Sequence, residues 1–129
     1  MENKPVLKIN VKCGEAYSVC GTSQSIVMIP FSGKAESVFF TGEIVGTGVD
    51  TQKTPKDGNT FLSARYMLEG EDFKGQKCRI FIENQGCDMN NCTPVIVTDS
   101  AALSYLETTP LRAVVTPCEG GVTVEIFEI

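Results

Sequence analysis

Along this chain, β-branched and aromatic residues gather in runs of roughly five to eight positions, and Gly, Pro, Asn and Asp clusters separate the runs. The runs predict strands over 6–13, 25–32, 36–45, 60–69, 77–84, 94–98, 111–117 and 121–128. Asp57-Gly58-Asn59 and Glu119-Gly120-Gly121 are turn signals, and the second joins the last two runs in a hairpin with Cys118 at its base. Ala101 to Glu107 reads as the one helix, with Asp99 or Ser100 as its N-cap and Pro110 beyond its end. The segment 46–59 is the longest stretch read as irregular. Many short strands with one short helix near 100–107 predict an all-β fold, a closed or nearly closed antiparallel β-barrel, because closure removes exposed sheet edges.

Strand alternation then sorts side chains by face. Within 61–68, Leu62, Ala64, Tyr66 and Leu68 point one way and Phe61, Ser63, Arg65 and Met67 the other. Within 38–45 the division is Phe39, Thr41, Glu43 and Val45 against Val38, Phe40, Gly42 and Ile44. Glu43 and Arg65 thus lie on mixed faces. A charge in a strand faces water or needs a partner, so the pair is either a cross-strand surface contact or part of a semi-polar barrel interior. Alternation fixes facing within a strand and leaves open which face is inside.

Composition narrows the function classes. At 129 residues the chain is read as one domain, 1–129, large enough for a core without staples. Eleven Lys and Arg stand against 16 Asp and Glu, a net charge of −5, with no basic cluster to meet a phosphate backbone or an anionic bilayer. No nucleic acid and no membrane are expected as partners. The first residues carry neither a signal-peptide core nor a membrane span, so a cytoplasmic location is expected.

Six cysteines, at 13, 20, 78, 87, 92 and 118, are read as free thiols for that compartment. Cys87 and Cys92 have the spacing of a local bridge or of half a zinc site, but the chain has no histidine and no second close pair. No metal and no cofactor are expected, and a cysteine nucleophile would lack a histidine base.

The order Phe40-x-Gly42-Glu43, Gly48-Val49-Asp50-Thr51-Gln52, Leu62-Ser63-Ala64-Arg65-Tyr66-x-Leu68 and Ile82-x-Asn84-Gln85-Gly86 resembles the domain-of-unknown-function family 3237, small proteins similar to lipocalin-type barrels. The resemblance spans about residues 5–107 and is most specific at Ala64-Arg65-Tyr66 with the preceding Asp50-x-Gln52. This chain departs from the pattern in having no tryptophan, in Thr51 where an aromatic residue is common, and in the loop from Cys87 to Cys92. The resemblance implies an oligomeric barrel, supplies no activity, and marks Glu43, Asp50, Gln52, Arg65, Tyr66 and Asn84 as ligand-binding candidates. Each also has a plain structural role available: Asp50 can cap a turn and Tyr66 can fill a core.

Three functions fit these residues. The first is a barrel that binds a small, partly apolar molecule, anionic ones included, with Arg65 or Glu43 fixing its orientation. The second is a cofactor-free lyase or isomerase in which Asp50 or Glu43 takes a proton and Arg65 with Tyr66 stabilises the oxyanion. The third is an interaction protein that self-assembles through apolar outer strand faces as a homo-oligomer. The pocket readings require these charges to converge in one cavity, and the first predicts that Arg65→Met weakens ligand.

Overall fold

The computed structural model describes residues 4–86 and 88–129. Its elements are β1 (Leu7–Cys13), β2 (Tyr17–Cys20), β3 (Gln24–Glu36), β4 (Phe40–Ile44), β5 (Gly48–Pro55), β6 (Phe61–Asp72), β7 (Lys77–Gly86), β8 (Thr93–Thr98), a 3-10 turn (Ser104–Glu107), β9 (Leu111–Cys118) and β10 (Gly121–Glu128). All strand pairs are antiparallel, in the order β8-β7-β6-β4-β3-β1-β10-β9, with β2 on β3 and β5 between β3 and β6.

β4 and β5 behave as one bulged strand. Both lie between β3 and β6, and there are six steps from Glu43 to Val49 against four from their partners Glu69 to Arg65. The two extra residues form a bulge, which bends the strand and sharpens its twist. Gly46, inside the bulge, has φ of 63°, a conformation open to glycine at little cost. On the far side of β3, β1 pairs with 31–35 and β2 with 25–28, so a second interrupted strand flanks it.

The sheet curls until its ends meet. Cys92, just before β8, forms an antiparallel bridge with Ala113 of β9: Cys92 N donates to Ala113 O at 3.0 Å and Ala113 N donates to Cys92 O at 2.9 Å. Val115 N adds a bond to Met89 O at 2.8 Å. This short seam makes the sheet a nearly closed barrel.

Two elements differ from the sequence expectation. The segment read as an irregular loop contains β5; its inward positions are Asp50 and Gln52, so the apolar alternation that reveals other strands is missing there. β2 was also unmarked, because all four of its residues are exposed. The expected helix is only a single 3-10 turn. Ser100 does not cap an α-helix; its hydroxyl accepts from Leu103 N at 3.2 Å and donates to Asp72 Oδ2 at 2.7 Å. Leu103 and Leu106, three apart, then stack on one side of the turn and enter the core.

The interior has two ends. Leu7, Ile9, Phe40, Leu68, Ile80, Leu103, Leu106 and Ile126 fill one end and are essentially inaccessible. Burying each such side chain stabilises the fold by about 1.5–3 kcal/mol. Toward the other end the same inward rows change character, from Leu68 to Ala64, from Ile80 to Asn84 and from Phe40 to Asp50. The Phe31 and Tyr66 rings pack edge to face between the two ends, with centroids 5.3 Å apart.

Candidate functional site

At the loosely packed end lies a cavity of about 170 Å³. Its walls are mostly aliphatic, from Val11, Ile29, Leu62, Val115, Val122 and Val124, with the Phe31–Tyr66 pair beneath. An apolar cavity of about 150 Å³ holds benzene, so this space suits a single small ring or a short branched chain.

The register explains how polar groups reach it. Ala64 of β6 is opposite Asp50 on one side and Asn84 on the other, so the three form one inward row across β5, β6 and β7. The adjacent strands are roughly 4.8 Å apart, which puts the two polar backbones about 10 Å apart with only a methyl between them. Tyr66 is the next inward residue of β6, and Gln52 the next inward residue of β5. Asp50, Gln52, Tyr66 and Asn84 therefore surround a gap above Ala64.

Two of these groups lack partners. The Tyr66 hydroxyl and Asn84 Oδ1 are buried and make no hydrogen bond with the protein, although their residues are only 5% and 6% exposed. Buried polar atoms are nearly always paired, and an unpaired one costs about 1–3 kcal/mol. Burial also pushes the Tyr66 hydroxyl far above its ordinary pKa, so it stays protonated and available as a donor. By contrast, Asp50 Oδ2 accepts from Gln52 Nε2 at 3.1 Å.

Cysteines complete the lining. Burial chiefly raises the pKa of the Cys92 thiol, Asp88 and Asp50 raise it further, and a hydrogen bond from Asn84 opposes them. Its Sγ donates to Asp88 O at 3.1 Å. Cys13, at the exposed rim, is raised by burial and then by Asp50 and Cys118. Neither is a low-pKa nucleophile. Cys13, Cys20, Cys78, Cys92 and Cys118 are free thiols, and Cys87 falls outside the described residues. Among the described residues no group of three or more His, Cys, Asp or Glu converges to hold a metal.

Glu43 and Arg65 stand outside the barrel. Glu43 meets Lys34 at 3.9 Å in an exposed cross-strand pair, and the exposed Arg65 meets the half-buried Glu83 across strands at 4.0 Å. Because Tyr66 and Ala64 point inward, Arg65 between them must point out. Glu43 lines an open outer groove of about 980 Å³ among Lys34, Thr41 and Glu71, with side chains in solvent. Glu43 and Arg65 and the polar groups inside the barrel thus belong to opposite faces. Sequence reasoning missed Cys92 and Met89, which the seam brings to the site, and the Val115, Val122 and Val124 wall, which β9 and β10 carry there beside β1. Their signal was the alternation of Val122, Val124 and Ile126, legible as one face without showing what it faced.

A family profile described as "Protein of unknown function (DUF3237)" matches residues 1–121. No curated protein matches this chain at a significant level. Among solved structures, a protein with unknown function from Clostridium acetobutylicum ATCC 824 is 21% identical, with a TM-score of 0.80 over 98% of this chain and 97% of that one. A beta-barrel like protein from Acinetobacter baumannii AYE is 19% identical, with a TM-score of 0.79 over 98% and 94%. An enzyme from Penicillium herquei is 15% identical, with a TM-score of 0.71 over 97% and 93%. At these identities the likeness is one of fold.

Proposed function

This chain belongs to the DUF3237 family, and from that premise we propose that it is a binding barrel for a small, largely apolar molecule held in the cavity above Ala64. One observation carries the reading: the Tyr66 hydroxyl and Asn84 Oδ1, buried polar atoms of two residues that line the cavity, are left without protein partners. Sites that bind small molecules combine apolar walls with a few convergent polar groups, and an unpaired pair inside such walls is what a ligand would satisfy. Cyclohexanol, whose ring suits the volume, is the probe. Crystals soaked in it should show the ring against Val115, Val122 and Val124 and the hydroxyl beside Tyr66 and Asn84. An unoccupied cavity, with unmoved amide resonances for Ala64, Tyr66 and Asn84 in solution, would overturn the reading.

A second reading rests on Asp50, a carboxylate on the same cavity. In a cofactor-free lyase or isomerase, Asp50 would take a proton next to a carbonyl and the protonated Tyr66 hydroxyl would donate to the oxyanion. The structural similarity to the Penicillium herquei protein, itself described as an enzyme, adds weight to this reading. Exchange of the α-protons of cyclohexanone in deuterated buffer separates the two functions. Exchange above the buffer rate that disappears in Asp50→Asn supports the enzyme; a rate equal to buffer leaves the binder.

A further inference from the structure

Resting on the binding reading, we propose that the cavity selects small uncharged alcohols: the molecule it takes presents a hydroxyl above Ala64 and carries no charge. The sign of the charge follows from the lining. No Lys or Arg lines the cavity, and Asp50 does. The cations next in sequence to the site residues, Lys12, Lys53 and Arg65, are exposed and alternate outward from the lining positions beside them. A carboxylate or phosphate placed here would leave water for aliphatic walls, find no countercharge and meet a like charge, the combination that buried anions avoid.

The need for a hydroxyl follows from the unpaired atoms. Asn84 Oδ1 is only an acceptor, so a ligand must bring a hydrogen to it. The Tyr66 hydroxyl keeps its proton, raised in pKa by burial, and needs a lone pair to receive it. A single alcohol group answers both, donating to Asn84 and accepting from Tyr66. The residues are diagonal neighbours, since Asn84 opposes Ala64 and Tyr66 is the next inward residue along the strand. Diagonal positions of this kind lie about 7–8 Å apart at the backbone, within which two side chains can converge on one oxygen. An ammonium has no lone pair for Tyr66 and would have to compete with Gln52 for Asp50.

The test compares one ring with four substituents at neutral pH: cyclohexanol, methylcyclohexane, cyclohexanecarboxylate and cyclohexylammonium, each titrated into the full chain by amide NMR. Cyclohexanol should bind about fivefold to tenfold more tightly than methylcyclohexane, the worth of roughly one net hydrogen bond. It should bind at least about a hundredfold more tightly than the carboxylate, which has an uncompensated charge to bury. Asn84→Leu should erase the advantage of cyclohexanol over methylcyclohexane. Equal binding of cyclohexanol and methylcyclohexane, or preference for the carboxylate or the ammonium, overturns the alcohol selectivity and leaves the binding cavity standing. Binding of none of the four, with Ala64→Leu spectra equally unresponsive, overturns the binding reading itself.

Discussion

Tyr66 and Asn84 are diagonal neighbours on the inner face of the β6–β7 pair, and each buries a polar atom that the protein leaves unpaired. That relationship sets stability against function. Tyr66→Phe removes a buried hydroxyl without changing the ring's shape, so the edge-to-face contact with Phe31 is kept. The ligand-free variant should be as stable as the parent or up to about 1 kcal/mol more stable, since the unsatisfied group is gone. Urea unfolding with and without cyclohexanol checks this: the variant should gain less from the ligand than the parent does.

Ala64 defines the gap, and Gly48 defines its floor. A Cβ added at Gly48 would lie 2.5 Å from a Phe31 ring carbon and 2.8 Å from Tyr66 Cβ. Gly48→Ala should therefore cost about 1–3 kcal/mol by overpacking and tilt both rings. A lowered thermal midpoint together with weaker cyclohexanol binding is the expected pair of results; Gly58→Ala, whose Cβ would meet only Pro55 at 3.4 Å, is the control.

Arg65→Met and Glu43→Gln should leave the binding of any cavity ligand unchanged. Both side chains are exposed on the outer face, in surface pairs of 4.0 and 3.9 Å, and such pairs contribute about 0–1 kcal/mol. A tenfold loss of cyclohexanol affinity in Arg65→Met would contradict the facing described above.

These residues also show what the sequence could reveal. The interrupted runs gave the all-β class and most strand positions, because each buried apolar row writes a period of two into the chain. β5 was hidden for the reason that puts polar groups on the cavity: Asp50 and Gln52 occupy inward positions where the pattern calls for apolar residues. Conversely, Arg65 stood out in the sequence because an exposed row interleaves charges with Phe61 and Met67, and no local pattern says that this row is the outer one. Only the long-range pairings, β1 with β10 and Cys92 with Ala113, settle inside and outside.

Asp72 joins the β6–β7 turn to the segment before the 3-10 turn. Its Oδ1 accepts from Lys74 N at 2.9 Å and Gln76 N at 3.1 Å, and its Oδ2 accepts from Ser100 Oγ at 2.7 Å. The Ser100 bond, foremost, holds the carboxyl below its ordinary pKa, with the two backbone bonds and Lys74 assisting against the cost of burial. A depressed pKa in the folded state means that the stabilisation is complete above the unfolded value of about 3.9 and fades as pH falls through the lower folded value. Ser100→Ala should therefore lower the thermal midpoint at pH 7 and make the remaining loss below pH 4 shallower than in the parent. Parallel midpoints for parent and variant down to pH 2 would sink this assignment.

Thiol reactivity should follow exposure. Cys20 and Cys118 are exposed, whereas Cys78 and Cys92 are buried, with pKa values raised by that burial. Peptide mapping after brief maleimide treatment at pH 7.5 should find Cys20 and Cys118 labelled first and Cys92 last. Bound cyclohexanol should slow Cys92 labelling further, because Cys92 lines the cavity.

That position of Cys92 gives the seam a wider meaning. The barrel's circumference is held elsewhere by ladders several residues long, but among the described residues the backbone bonds between the β8 and β9 ends are those of the Cys92–Ala113 bridge and the Met89–Val115 bond. Cys92, Met89 and Val115 all border the cavity. The structure is in effect a clasped ring whose catch borders its hollow, so the stretch of wall with the fewest backbone hydrogen bonds is also the one beside the cavity. Amide exchange at Cys92, Ala113 and Val115 is where filling the ring should first be felt.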